Sequence, residues 1–243
     1  MKRIRAIANP RHKTNFGLRF ETTVMFALSL FASGLFAVSA QADWPSWRGP
    51  SRDGVSNLQT PAAWPGKLNS VWSVEVGIGH SSPVTDGKHI FQHARVDDQE
   101  VVYCLNMAGE ILWQKQYPAP YKMNNSARKH GMGPKSTPTI SNGKLVTQGI
   151  SGIVSCWNAA DGKLLWQHDY AGEYKQTSPL FGTAASPLVI DDQCYIHAGM
   201  DNKGAFIAYE SANGLKTRRV QRESRARAHR CTGTSSMLFS TIS

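Results

Sequence analysis

Along residues 71–215 the apolar positions come in short runs bounded by Gly, Asn and Asp, and no stretch sustains a helical period, so the pattern predicts strands. The best-formed stretch reads as a strand at 136–140, the turn Ser141-Asn142-Gly143, and strands at 144–148, 153–158 and 163–169. Asn and Gly suit that first turn because both tolerate the positive φ of a tight hairpin. The same four strands recur at 82–85, 89–94, 100–105 and 110–117. A third set opens at Ser186-Pro187, and a lone strand at 71–76, containing Trp72, precedes the first set.

Two signals bracket each set. A Ser/Thr-Pro pair opens it, at Ser82-Pro83, Thr137-Pro138 and Ser186-Pro187, the prolines being 55 and 49 residues apart. A Gly-x-apolar-apolar-Trp run closes it, at Gly109 to Trp113 and Gly162 to Trp166, with Asn213-Gly214 beginning the third. Self-similarity at this period marks a repeat architecture whose units must stack to bury a core. Four-stranded twisted sheets stack radially as propeller blades. Trp113 and Trp166, at equivalent strand ends, are expected to wedge between blades with Gly109 and Gly162 as their structural companions, since one indole buries about 150–250 Å². The lone strand at 71–76 suggests a ring closed by an N-terminal strand belonging to another blade's set.

Charge changes the picture only through its location. The formal net charge is +10, but residues 1–42 carry +5 and residues 216–243 carry +6, leaving 43–215 at −1. A basic total suggests nucleic acid, but its location at the two ends argues against that, because the repeat body itself is not basic. The N-terminal excess, from Lys2 to Arg19, precedes an apolar run over 24–38 and Ala40-Gln41-Ala42, the order of a secretory signal peptide. The run is short for a membrane span of about 20 residues; a retained anchor is the competing reading of 1–42. Export would place the chain in the periplasm or outside the cell, where cysteines can pair. Cys104 and Cys156 fall at matching positions of neighbouring units, too far apart to bridge, and no Cys-x-x-Cys spacing occurs, so buried thiols and no metal site are expected.

The third repeat departs from the pattern. Its register calls for Trp at 218, where Arg218 stands, and from Lys216 to Arg230 seven of fifteen residues are basic. A reading-frame slip, a basic tail for acidic partners and an atypical capping segment all account for this. The expected organisation is therefore a leader or anchor at 1–42, incomplete propeller repeats at 43–215 and a non-native or disordered tail at 216–243. Propellers have about four to eight blades, and 43–215 has room for three. The expected fold is an all-β, partial β-propeller of about three four-stranded antiparallel blades with its ring not closed, offering exposed blade edges to a protein partner.

The runs Tyr103 to Trp113 and Cys156 to Trp166 resemble the repeat signature of the pyrroloquinoline-quinone (PQQ)-type propellers, the quinoprotein alcohol dehydrogenase-like superfamily. Asn106 and Asn158 replace its first Asp, and Ala108 and Asp161 its Thr. The opening, Asp43-Trp44-Pro45-Ser46-Trp47-Arg48-Gly49-Pro50, is similar to that of exported bacterial proteins carrying this propeller. The resemblance implies either quinone-dependent dehydrogenases, which oxidise an alcohol or sugar with PQQ and calcium, or non-enzymatic scaffolds. The adjacent-cysteine disulfide of those enzymes has no counterpart here, and no motif carries their calcium ligands or catalytic Asp. A truncated binding or scaffold module without chemistry is thus expected, a quinoprotein fragment being the alternative. The candidate binding residues are at the rim of the channel: His80 and Lys135, each three before a repeat proline, with Arg128 and His130 upstream, could receive a carboxylated quinone or other anion.

Overall fold

The computed structural model describes residues 2–8, 43–56, 62–64, 66–170, 179–200 and 204–221. The leader's apolar run and cleavage site, Cys231 and residues 222–243 of the tail lie outside them. Three four-stranded antiparallel sheets follow one another along the chain, each laid down in sequence order. The first contains β3 (Val84–Thr85), β4 (His89–Val96), β5 (Gln99–Asn106) and β6 (Ile111–Pro118). The second contains β7 (Thr139–Ser141), β8 (Lys144–Gln148), β9 (Val154–Asn158) and β10 (Leu164–His168). The third contains β11 (Leu188–Ile190), β12 (Gln193–Ala198), β13 (Ala205–Glu210) and β14 (Lys216–Gln221). These are blades of a partial β-propeller. A 3₁₀ turn, Asn125–His130, lies in the connection between the first two blades, started by the Asn124 side chain accepting from the Ser126 N–H.

β14 begins at Lys216, the first residue of the segment expected as a tail. Arg218 occupies the strand position that the indole occupies elsewhere: it pairs with Ala208 as Trp113 pairs with Cys104 and Trp166 with Cys156. A bulge follows at the same place in all three blades, so that Tyr209 opposes Lys216, Leu105 opposes Ile111 and Trp157 opposes Leu164. The side chain changed, but the backbone ladder needs only N–H and C=O groups, which Arg supplies as Trp does.

Residues 2–8, expected within the leader, form β1 (Lys2–Ala8), antiparallel to β2 (Asn69–Gly77). Its register repeats that of a third strand: Ala6 opposes Trp72, and Ile7 opposes Ser70 across a bulge. β2 is accordingly a fourth strand and β1 stands in the place of its third, an outer half-blade ahead of the first blade.

Hydrophobic packing runs between blades rather than within them. Phe91, Val102, Cys104 and Trp113 of the first blade share one cluster with Ile140, Leu145, Ile153 and Trp157 of the second. Val146, Val154, Cys156 and Trp166 of the second share another with Cys194, Ile196, Ala205, Ile207 and Tyr209 of the third. On the near side, Trp72, Val74 and Val76 of β2 pack against Ala94, Val101, Tyr103 and Leu105 of the first blade. A single sheet has two apolar faces to cover, so each blade completes its neighbour's core.

Candidate functional site

The repeat signals define how blades join. Each indole N–H donates to a carbonyl in the last turn of the following blade: Trp72 to Met107 at 3.0 Å, Trp113 to Ala159 at 3.0 Å and Trp166 to Ser211 at 3.1 Å. The ring then lies against the glycine of that turn, where a Cβ would come within 2.5 Å of Trp72 at Gly109, 2.7 Å of Trp113 at Gly162 and 2.5 Å of Trp166 at Gly214. All three glycines have φ between 69° and 86°, a conformation that costs other residues. The Trp of one repeat and the Gly of the next thus form one joint.

The Ser/Thr-Pro pairs form a second joint at the inner strands. Ser82 N–H donates to the Thr137 hydroxyl at 3.1 Å, and Thr137 N–H donates to the Ser186 hydroxyl at 3.0 Å. Proline lacks an N–H, so the residue before it supplies both donor and acceptor of each rung. Sequence periodicity located these residues; their cross-blade pairing was not visible in it.

The rim residues come partly together. His80 Nε2 donates to the His130 carbonyl at 2.7 Å, and the His130 ring meets Phe181 edge-on at a centroid distance of 5.2 Å. Lys135 Nζ donates to the Phe181 carbonyl, and partial burial lowers its pKa. His80 and Ser81 N–H groups both reach the Pro134 carbonyl. Arg128 and His130 lie in the last turn of the 3₁₀ segment. His80 and Lys135 are therefore engaged by backbone carbonyls, tying the three loops to one another.

The segment 43–56 carries a feature that the sequence did not signal. Trp44 exchanges both backbone hydrogen bonds with Thr85 of β3, at 3.0 Å each, and the Pro45 carbonyl accepts from Ile140 N–H of β7 at 2.8 Å. The opening motif therefore lies along β3 and β7, the first strands of two blades, and takes up backbone groups of both.

The fit of a calcium-bearing quinone can be tested against these groups. Among the described residues no three His, Cys, Asp or Glu side chains converge on a point. Cys104, Cys156 and Cys194 are buried free thiols, and burial pushes each up to about 12, far from a reactive thiolate. Among them no helix is long and apolar enough to cross a membrane.

Comparison with known proteins accords with the repeat reading. The outer membrane protein assembly factor BamB of Shewanella oneidensis is 27% identical over 149 residues, which are 60% of this chain and 35% of that protein. The chain thus spans about a third of the length of that curated relative. Among solved structures, BamB from Moraxella catarrhalis aligns at 14% identity over 63% of this chain and 43% of its own, with a TM-score of 0.42. The quinohemoprotein alcohol dehydrogenase ADHIIG from Pseudomonas putida HK5 aligns at 17% identity over 74% of this chain and 27% of its own, with a TM-score of 0.49. The family model described as outer membrane protein assembly factor BamB matches residues 97–242, more than half of the sequence, and the chain belongs to that PQQ-type repeat family.

Proposed function

We propose that this chain is an exported binding or scaffolding module without chemistry of its own, and that it holds a protein partner on the open face of its third blade. One observation carries the reading. Tyr195, at 40% exposure, and Phe206, at 67%, occupy the positions where Phe91 and Val102 in the first blade, and Val146 and Val154 in the second, are buried under the following blade. Val220, which pairs with Phe206, is 53% exposed beside them. A contiguous apolar surface with basic Arg218 among it is the kind of patch that a protein interface covers. Export rests on the leader-like order of residues 1–42 and on the family's assembly-factor members.

A photo-crosslinking residue placed at Phe206 is expected to trap a partner that the same residue at exposed Lys163 does not. The quinoprotein alternative is checked in parallel with PQQ and calcium. Micromolar, calcium-dependent binding together with dye-linked alcohol oxidation would overturn the scaffold reading.

A further inference from the structure

A carboxylate sits at the seam between the first and second blades. Glu100 of β5 is fully buried. Its Oε2 accepts from the Tyr117 hydroxyl of β6 at 2.6 Å and lies 3.5 Å from His93 Nε2 of β4. Its Oε1 crosses the seam and accepts the Ile150 backbone N–H, in the turn between β8 and β9, at 2.8 Å. The adjacent Gly149 has no room for a Cβ because the same carboxylate fills the place. Tyr117, whose hydroxyl is 3.3 Å from His93 Nε2, stacks its ring on Trp157 of the second blade.

Three donors converge on a group that, when ionised, only accepts. Among the described residues His93 Nδ1 is buried with no hydrogen-bond partner, and Nε2 is the ring nitrogen that faces Glu100. Arg95 of β4 stands opposite Glu100 in the ladder, but its guanidinium is held by the Ala119 and Asp97 carbonyls and Asp98. The second blade adds neutral groups, the Ile150 N–H and the Thr147 and Ser155 hydroxyls beside Tyr117. The next seam is built differently. By register Gln148 replaces His93 and Gly152 replaces Glu100, and the crossing bond runs from Gln148 Nε2 to the His197 carbonyl at 2.7 Å.

We propose that the first seam is an acid-released latch: the Glu100 carboxylate ties the first blade to the Ile150 amide, and its protonation frees the first blade there, while the second seam, which has Gly152 in place of Glu100 and where His168 Nε2 donates to the Gly214 carbonyl at 2.9 Å, stays shut. A protonated Glu100 turns one oxygen into a donor, so the Tyr117 hydroxyl or the His93 ring must reorient to accept it, and the Ile150 N–H loses the charged acceptor that makes its bond strong. Burial pushes the Glu100 carboxyl up, but His93, Tyr117 and the Ile150 N–H together outweigh it and hold it below the usual carboxylate range. The latch is therefore fully present above the unfolded-chain value of about 4.3 and is lost as pH falls through the lower folded value.

Amide hydrogen exchange on the full chain tests this, with protection corrected for intrinsic exchange. The Ile150 amide reports the first seam, and the Thr137 amide, bonded to the Ser186 hydroxyl, reports the second. On acidification below the usual carboxylate range, Ile150 protection is expected to fall at least tenfold while Thr137 protection holds. Glu100→Gln, which keeps an acceptor oxygen but removes the charge and its titration, should show the weakened, acid-state Ile150 protection at every pH. Tyr117→Phe should keep it but lose it at a higher pH, one stabilising donor having been removed. Ile150 protection that follows Thr137 throughout the acid range overturns the latch, as does a Glu100→Gln protein with unchanged Ile150 protection. Should Glu100→Gln fail to fold, the parent chain and Tyr117→Phe decide the matter alone.

Discussion

Trp113 and Gly162 act as a single joint although they belong to different repeats. The indole is buried between blades, donates to the Ala159 carbonyl and rests on the glycine. Trp113→Ala would leave a large cavity at the seam and a bare carbonyl, and is expected to cost about 3–5 kcal/mol, measured by urea unfolding. Gly162→Ala places a methyl against the ring at a φ of 69°, and a smaller loss of about 1–3 kcal/mol is expected from overpacking. Equal stability of Gly162→Ala and the parent would show that the close approach is not needed. The thiols test burial directly. In a Cys231→Ser chain, Cys104, Cys156 and Cys194 should be silent toward a water-soluble thiol reagent until the protein unfolds, because their pKa values are raised to about 12. Rapid native-state labelling of any of them would contradict the core placement.

At the scale of elements, β14 and β1 were the two strands that hydrophobic pattern missed. β14 reads Lys216-Thr217-Arg218-Arg219-Val220-Gln221, with one apolar residue in six. Pattern reading finds strands by what they bury, and Lys216 to Val220 are all exposed, yet the backbone of this strand closes the β13 edge. Ending the chain after 215 should therefore strip that edge and lower the unfolding midpoint relative to ending it after 221. Identical denaturation curves for the two truncations would mean that β14 contributes nothing. β1 escaped for another reason. Its basic residues read as the start of a leader, while what the structure records is backbone pairing with β2 in a third-strand register. The strands of the first two blades were legible within one to three residues, because their short apolar runs, continuously buried in β4, β5, β8 and β9, lie between clear Gly and Asn turns.

For the whole molecule, the arrangement of seams fixes where exposed apolar surface lies. The near face of the first blade is partly covered by β2, whereas Tyr195, Phe206 and Val220 on the far face of the third are open. A hydrophobic dye should bind the parent chain and bind much less to a Tyr195→Ser, Phe206→Ser double variant, with the far-ultraviolet circular dichroism unchanged. Undiminished dye binding would move the working surface elsewhere. The rim illustrates the limit of reading a site from spacing. His80 and Lys135 each donate to a backbone carbonyl of a neighbouring loop, that of His130 and that of Phe181.

The sequence by itself determined the repeat, its period, the all-β class and the residues at the joints, because strands, turns and wedge residues are written locally as short apolar runs, Gly and Pro placement and recurring Trp. Only the tertiary structure decided what those residues do to one another. The pairing of Ser82 with Thr137, the seating of Trp113 on Gly162 and the meeting of Glu100 with Ile150 all join positions about fifty residues apart. Those contacts exist because sheets that cannot cover their own faces are forced to stack, and stacking brings into contact residues that no local pattern connects.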